Sequence, residues 1–224
     1  MTRTTNARIA GFSFLFYIAV GIPSMVLFSR ATGGEGVAAK LASIAQHATD
    51  VRVTIVLTLL MSFSAFALAI SLWALTRDED QDLAMFALVC RVGEGLAGGV
   101  SGSLGLLWLA TATGSHAPGA VAKNDLGAFL LWGQGGGSAA IFFAVGSTVF
   151  CWLLLRGRML PAWLAWLGLI SSALLVVALL LDLVHAIPGA VVGYLWIPMA
   201  AFEIPLGVLW LARGLPLPAK MRAA

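Results

Sequence analysis

Three ionisable side chains stand inside long apolar runs where water cannot be the main solvent. Arg91 and Glu94 occur in "CRVGEG", and Glu203 occurs in "AAFEIPLG". A charged group at membrane depth costs at least ~2.5–3.5 kcal/mol on insertion scales, so its presence asks for a partner or a function. Arg91 and Glu94 are spaced i, i+3, which puts them on one helical face within reach of an ion pair. At a rise of about 1.5 Å per residue, Arg91 lies about 12 Å, Glu94 about 16 Å and Glu203 about 13 Å from the cytoplasmic ends of their runs. Groups at one depth can meet. One guanidinium facing two carboxyls leaves one acid without a countercharge, and such an acid can hold a proton. It could then pass that proton on as a general acid does. A helix-locking polar network without turnover accounts for the same residues, because polar side chains also join membrane helices.

Other candidates surround this trio. Tyr17 lies at a similar depth in the first apolar run, where an interfacial ring is the preferred reading and a hydrogen bond to the cluster the second. Pro23 and Pro205 fall near these depths, and each removes a backbone donor and frees a carbonyl. Gln134, in "WGQGGGSAA", is a candidate pocket residue. The adjoining glycines favour close helix approach over a locally unwound segment. That run lacks the strand setting and the terminal Lys of a phosphate loop, so nucleotide binding is not expected. Toward the opposite, outer face lie His47, Asp50, Arg52, His116, Asp182 and His185. Asp182 and His185 share a helical face, as paired metal ligands often do. No tighter ligand pair such as C-x-x-C accompanies them, so no metal and no cofactor are assigned. Arg52, Asp182 and His185 remain candidate ligand-binding residues in a wet vestibule. Cys90 and Cys151 sit in apolar runs and read as small buried hydrophobes.

The elements that must position these residues follow from composition. Of 224 residues, 60% are hydrophobic and 10% charged, whereas a soluble domain carries about 25% charged residues. Lipid must therefore be the solvent for much of the surface. Six stretches are long enough to span a bilayer as helices: roughly 9–29, 51–76, 83–112, 126–155, 160–184 and 190–212. None alternates in polarity as barrel strands do. The first run, although preceded by Arg3 and Arg8, is long enough to span and has no A-x-A cleavage site after it. Between the first two spans, Val37, Leu41 and Ile44 share one face, which predicts a short interfacial helix over 36–47. Lys and Arg favour the side of both termini by eight to four, which puts the termini in the cytoplasm. The expectation is an all-α polytopic transmembrane bundle formed as a single domain over residues 1–224.

The motifs in their order resemble the bacterial membrane family known as domain of unknown function 4386. "ARIAGFSFLFYIAVGIPSMV" is similar to that family's first helix, and His47 with Arg52 to its His-x4-Arg entry to the second. "CRVGEG" looks like its Arg-x-x-Glu, "RGRMLPAWLAWLGL" like its basic, Pro-led fifth helix, and "FEIPLGVLWLARG" like its Glu-bearing last helix. The glycines at 135–137 depart from the pattern. The resemblance implies a bacterial cytoplasmic-membrane protein and marks Arg52, Arg91, Glu94 and Glu203. It implies no activity.

Function is expected to centre on a pocket within the bundle for a lipophilic small molecule, with Glu203, Glu94 and Arg91 as its polar core. An enzyme built this way would do acid–base chemistry of the isomerase, cyclase or hydrolase kind. A proton- or ion-coupled carrier is the first alternative and would call for a homodimer. A non-catalytic accessory subunit or scaffold is the second. The basic residues are scattered at helix ends, so no nucleic-acid face is expected.

Overall fold

The computed structural model describes residues 1–114 and 137–215, and within them the chain is helical. The helices are α1 (Arg3–Ala31), α2 (Gly36–Gln46), α3 (Ala48–Thr76), α4 (Gln81–Thr113), α5 (Gly137–Arg156), α6 (Ala162–Leu183) and α7 (Gly189–Arg213). All but α2 are long and apolar enough to cross a membrane, which makes six candidate spans. The protein is an all-α, multi-pass membrane protein. The part of the fourth expected span that precedes Gly137 lies outside the described residues, as do Gln134 and His116.

Several helices run past the apolar stretches that announced them. α1 begins at Arg3 rather than near residue 9, because hydropathy marks the hydrocarbon layer while a helix can continue into the headgroups. The prolines do not divide their helices. Pro23 lies within α1, and Pro198 and Pro205 lie within α7. Each proline costs its helix one backbone bond, which packing neighbours can compensate in a membrane protein. α6 shows how an apolar helix partitions its faces. Trp163, Trp166, Ile170, Leu174 and Val177 point outward, whereas Leu164, Ala165, Gly168, Ser171, Ser172 and Leu175 are buried. The exposed stripe is what a helix offers to acyl chains.

The chain divides into two compact units. One comprises Met1–Tyr17, Phe63–Gly95 and Gly137–Ala224, and the other Ile18–Ser62 and Leu96–Gly136. In the second unit, the end of α1, α2, the start of α3 and the end of α4 share a core that includes Ala31, Leu41, Ile44, Val51, Ile55 and Leu109. The apolar face expected on α2 therefore packs against protein.

In the first unit, close approaches between small residues set the helix order. The Ser64 hydroxyl of α3 donates to the Ser13 carbonyl of α1 at 3.0 Å. A Cβ on Gly95 of α4 would sit 2.5 Å from the Phe66 ring of α3, and one on Gly146 of α5 would sit 3.1 Å from the Cys90 and Arg91 side chains of α4. α5 packs on α6, and α6 on α7. A Cβ on Gly11 of α1 would lie 2.7 Å from the Gly207 carbonyl and the Leu211 nitrogen of α7. These contacts close the unit around an interior lined by the faces of α1, α3, α4, α5 and α7. At one end Arg3 lies 3.5 Å from Asp78, and Arg156 lies 3.5 Å from Asp80. One member of each pair, Asp78 and Arg156, is exposed to solvent, so the pairs contribute little to stability.

Candidate functional site

Arg91, Glu94 and Glu203 all belong to the first unit, and all are buried, with 2%, 4% and 8% of their surfaces exposed. Helical spacing on α4 brings Arg91 Nη1 to 2.8 Å from Glu94 Oε2. The contact is electrostatic rather than an aligned hydrogen bond. Arg91 Nε and Nη1 and Glu94 Oε2 each lack a hydrogen-bond partner. The other Glu94 oxygen, Oε1, accepts a 2.9 Å hydrogen bond from the Tyr17 hydroxyl. Tyr17 is thus more than the interfacial ring that its place in the sequence favoured. Its ring is half-buried and its hydroxyl ties α1 to α4.

The guanidinium has two further neighbours on α5. Its carbon stands 4.7 Å from the Phe143 ring centroid, close enough for the ring's electron-rich face to stabilise a cation. Gly146 supplies the space. A side chain there would press on the Arg91 stem and on Cys90. Glu203 stands on α7 beside Phe202 and one turn from Leu206, both of which line the cavity that Arg91 also lines. Among the described residues no salt bridge ends on Glu203. Its flanking residues show why it points inward. Phe202 packs over Gly168, and Leu206 is fully buried.

A narrow cavity opens beside the guanidinium. Arg91, Ser147 and Cys151 contribute to its lining together with Phe14, Leu72 and Phe202. The centre of a water-sized sphere can range over about 10 Å³ within it, which is room for about one water-sized group. Neither Glu94 nor Glu203 belongs to that lining. Such an arrangement can hold an oxygen acceptor on Arg91, with Glu94 fixing the guanidinium and Tyr17 fixing Glu94.

The remaining candidates lie elsewhere. Arg52 is exposed near the start of α3, in the other unit. Asp182 and His185 sit at the junction of α6 and α7. A Cβ on Gly189 would be 3.5 Å from Asp182 Oδ1, so this carboxylate stands over the first turn of α7, where the helix dipole favours negative charge. His185 adopts φ 56° and its amide donates to the Asp182 carbonyl. Glu203 is about 21 Å farther along α7 at the helical rise, so Asp182 and His185 do not join the buried trio. Among the described residues no three His, Cys, Asp or Glu side chains converge as metal ligands. Phe143, Gly146 and Ser147 were missed in the sequence because their types are ordinary for a membrane helix. The one available signal was a glycine in "FFAVGSTVF" that could seat a bulky cation on a neighbouring helix.

The sequence profile described as domain of unknown function 4386 matches residues 9–214. The chain belongs to that family. The match covers all three buried ionisable residues, so the Arg-x-x-Glu of α4 and the Glu203 of α7 fall within the domain of unknown function 4386 rather than on an appended segment. No curated protein and no solved structure matches the chain.

Proposed function

We propose that this protein, a member of the domain of unknown function 4386 family in a bacterial cytoplasmic membrane, binds a lipophilic small molecule inside its first unit, with both termini in the cytoplasm. The observation that carries the reading is the burial of Arg91, Glu94 and Glu203 in one unit, each more than nine-tenths buried, with a cavity that Arg91 lines. Membrane proteins retain buried ionisable groups at such cost mainly where a partner or a ligand uses them. Arg91 is the binding group. Glu94 and Tyr17 are positioning residues that hold the guanidinium. Among the described residues Glu203 has no cation of its own in a salt bridge, and it is the acid suited to hand a proton to a bound molecule. That acid–base step requires its side chain to turn toward the cavity. Apolar walls around it keep out water, which would otherwise compete for the proton.

The test is native mass spectrometry and lipid extraction on protein purified from its own membrane in mild detergent. Wild-type protein should carry a lipophilic molecule in stoichiometric amount. The Glu203→Gln variant, which leaves no buried charge unpaired, should extract and melt normally but lose that molecule or accumulate an unconverted one. Equal, non-stoichiometric lipid on both proteins would overturn the reading.

A further inference from the structure

The geometry points to a substrate or ligand class for the cavity beside Arg91: an otherwise apolar molecule that presents an uncharged carbonyl oxygen. The inference rests on the pocket reading above and narrows it. Its first support is a buried donor, Arg91 Nε, that lacks a hydrogen-bond partner on a side chain that lines the cavity, while Nη1 is engaged by Glu94. Leaving buried donors unmade is costly, more so for a charged group, so an acceptor belongs there. A single N–H with no partner suits an oxygen acceptor.

Charge decides between acceptors. Glu94 lies 2.8 Å from the guanidinium and already neutralises it, and Glu203 is a second buried carboxyl in the same unit. A carboxylate or phosphate would bring another negative charge into this buried, carboxyl-rich setting, where Arg91 is the one buried cation among the described residues and is already paired. A neutral acceptor avoids that. The lining then distinguishes a carbonyl from a hydroxyl. Apart from Arg91, Ser147 and Cys151 it is apolar, and neither carboxyl contributes to it. An alcohol would bring an O–H donor, for which the lining side chains offer only the Ser147 hydroxyl and the weakly accepting Cys151 sulfur, whereas a carbonyl only accepts. Size agrees, since the space admits about one oxygen-sized group. The hydrocarbon remainder of the molecule would extend away from the guanidinium.

The experiment uses full-length protein in lipid nanodiscs and a long-chain methyl ketone labelled with carbon-thirteen at its carbonyl. The alkane, secondary alcohol and fatty acid of equal chain length serve as competitors. The ketone should bind saturably, its carbonyl resonance should move downfield on binding, and none of the competitors should displace it at equal concentration. The double substitution Arg91→Met with Glu94→Gln removes both charges together and so leaves no lone buried ion. It should weaken ketone binding by roughly tenfold or more and abolish the downfield shift. Displacement by the alcohol or the acid at equal concentration would overturn the carbonyl assignment while leaving a lipophilic pocket in place. So would a bound ketone with an unshifted carbonyl. Failure of all four molecules to bind would sink this inference together with the pocket. The wild-type comparison decides the matter even if the double variant does not fold.

Discussion

At Glu94 the two carboxyl oxygens have different neighbours, and the difference sets what each substitution should do. Oε1 accepts from Tyr17, and Oε2 faces the Arg91 guanidinium. Glu94→Gln would leave Arg91 buried without its countercharge, a change that costs about 3–5 kcal/mol in comparable pairs. Glu203→Gln removes no salt-bridge partner. Thermal unfolding in detergent should therefore show a large drop for Glu94→Gln and a small one for Glu203→Gln; the reverse order would mean that Glu203, not Glu94, holds the guanidinium. Tyr17→Phe removes one hydroxyl bond to a carboxyl, worth about 1 kcal/mol for a half-buried group. Its melting temperature should fall by a few degrees, with the protein still monodisperse. A variant as stable as the parent would mean that the hydroxyl–carboxyl contact contributes nothing. The i, i+3 pairing of Arg91 and Glu94 was legible in the sequence, because both residues lie on one helix. The bond from Tyr17 was not, because it depends on how α1 and α4 pack.

The helices are held at short range by glycines whose role no local pattern announced. A Cβ on Gly11 would meet two backbone atoms of α7 at 2.7 Å, and one on Gly207 would meet Leu15 at 2.9 Å. Backbone cannot rotate aside as a side chain can, so α1 and α7 would have to separate. Gly11→Ala should cost about 1–3 kcal/mol, the usual penalty for overpacking. Gly193, also on α7, has open space where a Cβ would go. Gly193→Ala should be neutral or slightly stabilising through helix propensity. Comparing the two melting curves isolates the contact from the substitution, and equal stability of the two variants would refute the close approach. At this scale the existence and type of each span could be read from hydropathy. Which glycines touch which helix could not, since the same residue type occurs on open faces and in tight ones.

For the whole chain, the proposed membrane orientation rests on the distribution of Lys and Arg and can be checked without further structure. The native cysteines, Cys90 and Cys151, are both buried and should stay unlabelled by a membrane-impermeant maleimide. Against that background, a Glu35→Cys variant should label in intact cells. An Asp78→Cys variant should label only after permeabilisation. The opposite pattern would invert the assigned topology and place the termini outside. The buried trio stands in one of two compact units, whereas Arg52 stands in the other and Asp182 and His185 sit at a helix junction. Sequence reasoning grouped all of them as candidates because each is a polar residue near an apolar run. Only packing separates a side chain that points inward from one that finishes a helix.

What the residues determined alone was the spanning character of the chain, its helical rather than barrel form, and the rarity of Arg91, Glu94 and Glu203. These are local properties: a run of about 20 apolar residues spans the hydrocarbon whatever its neighbours are. Tertiary structure decided that Glu203 shares an interior with the α4 ion pair and that Tyr17 reaches Glu94. It also decided that Arg91 lines a cavity and lays its guanidinium against Phe143. Those are relations between distant segments, and in lipid they are set by van der Waals fit and interhelical hydrogen bonds rather than by hydrophobicity, which is nearly uniform along every span.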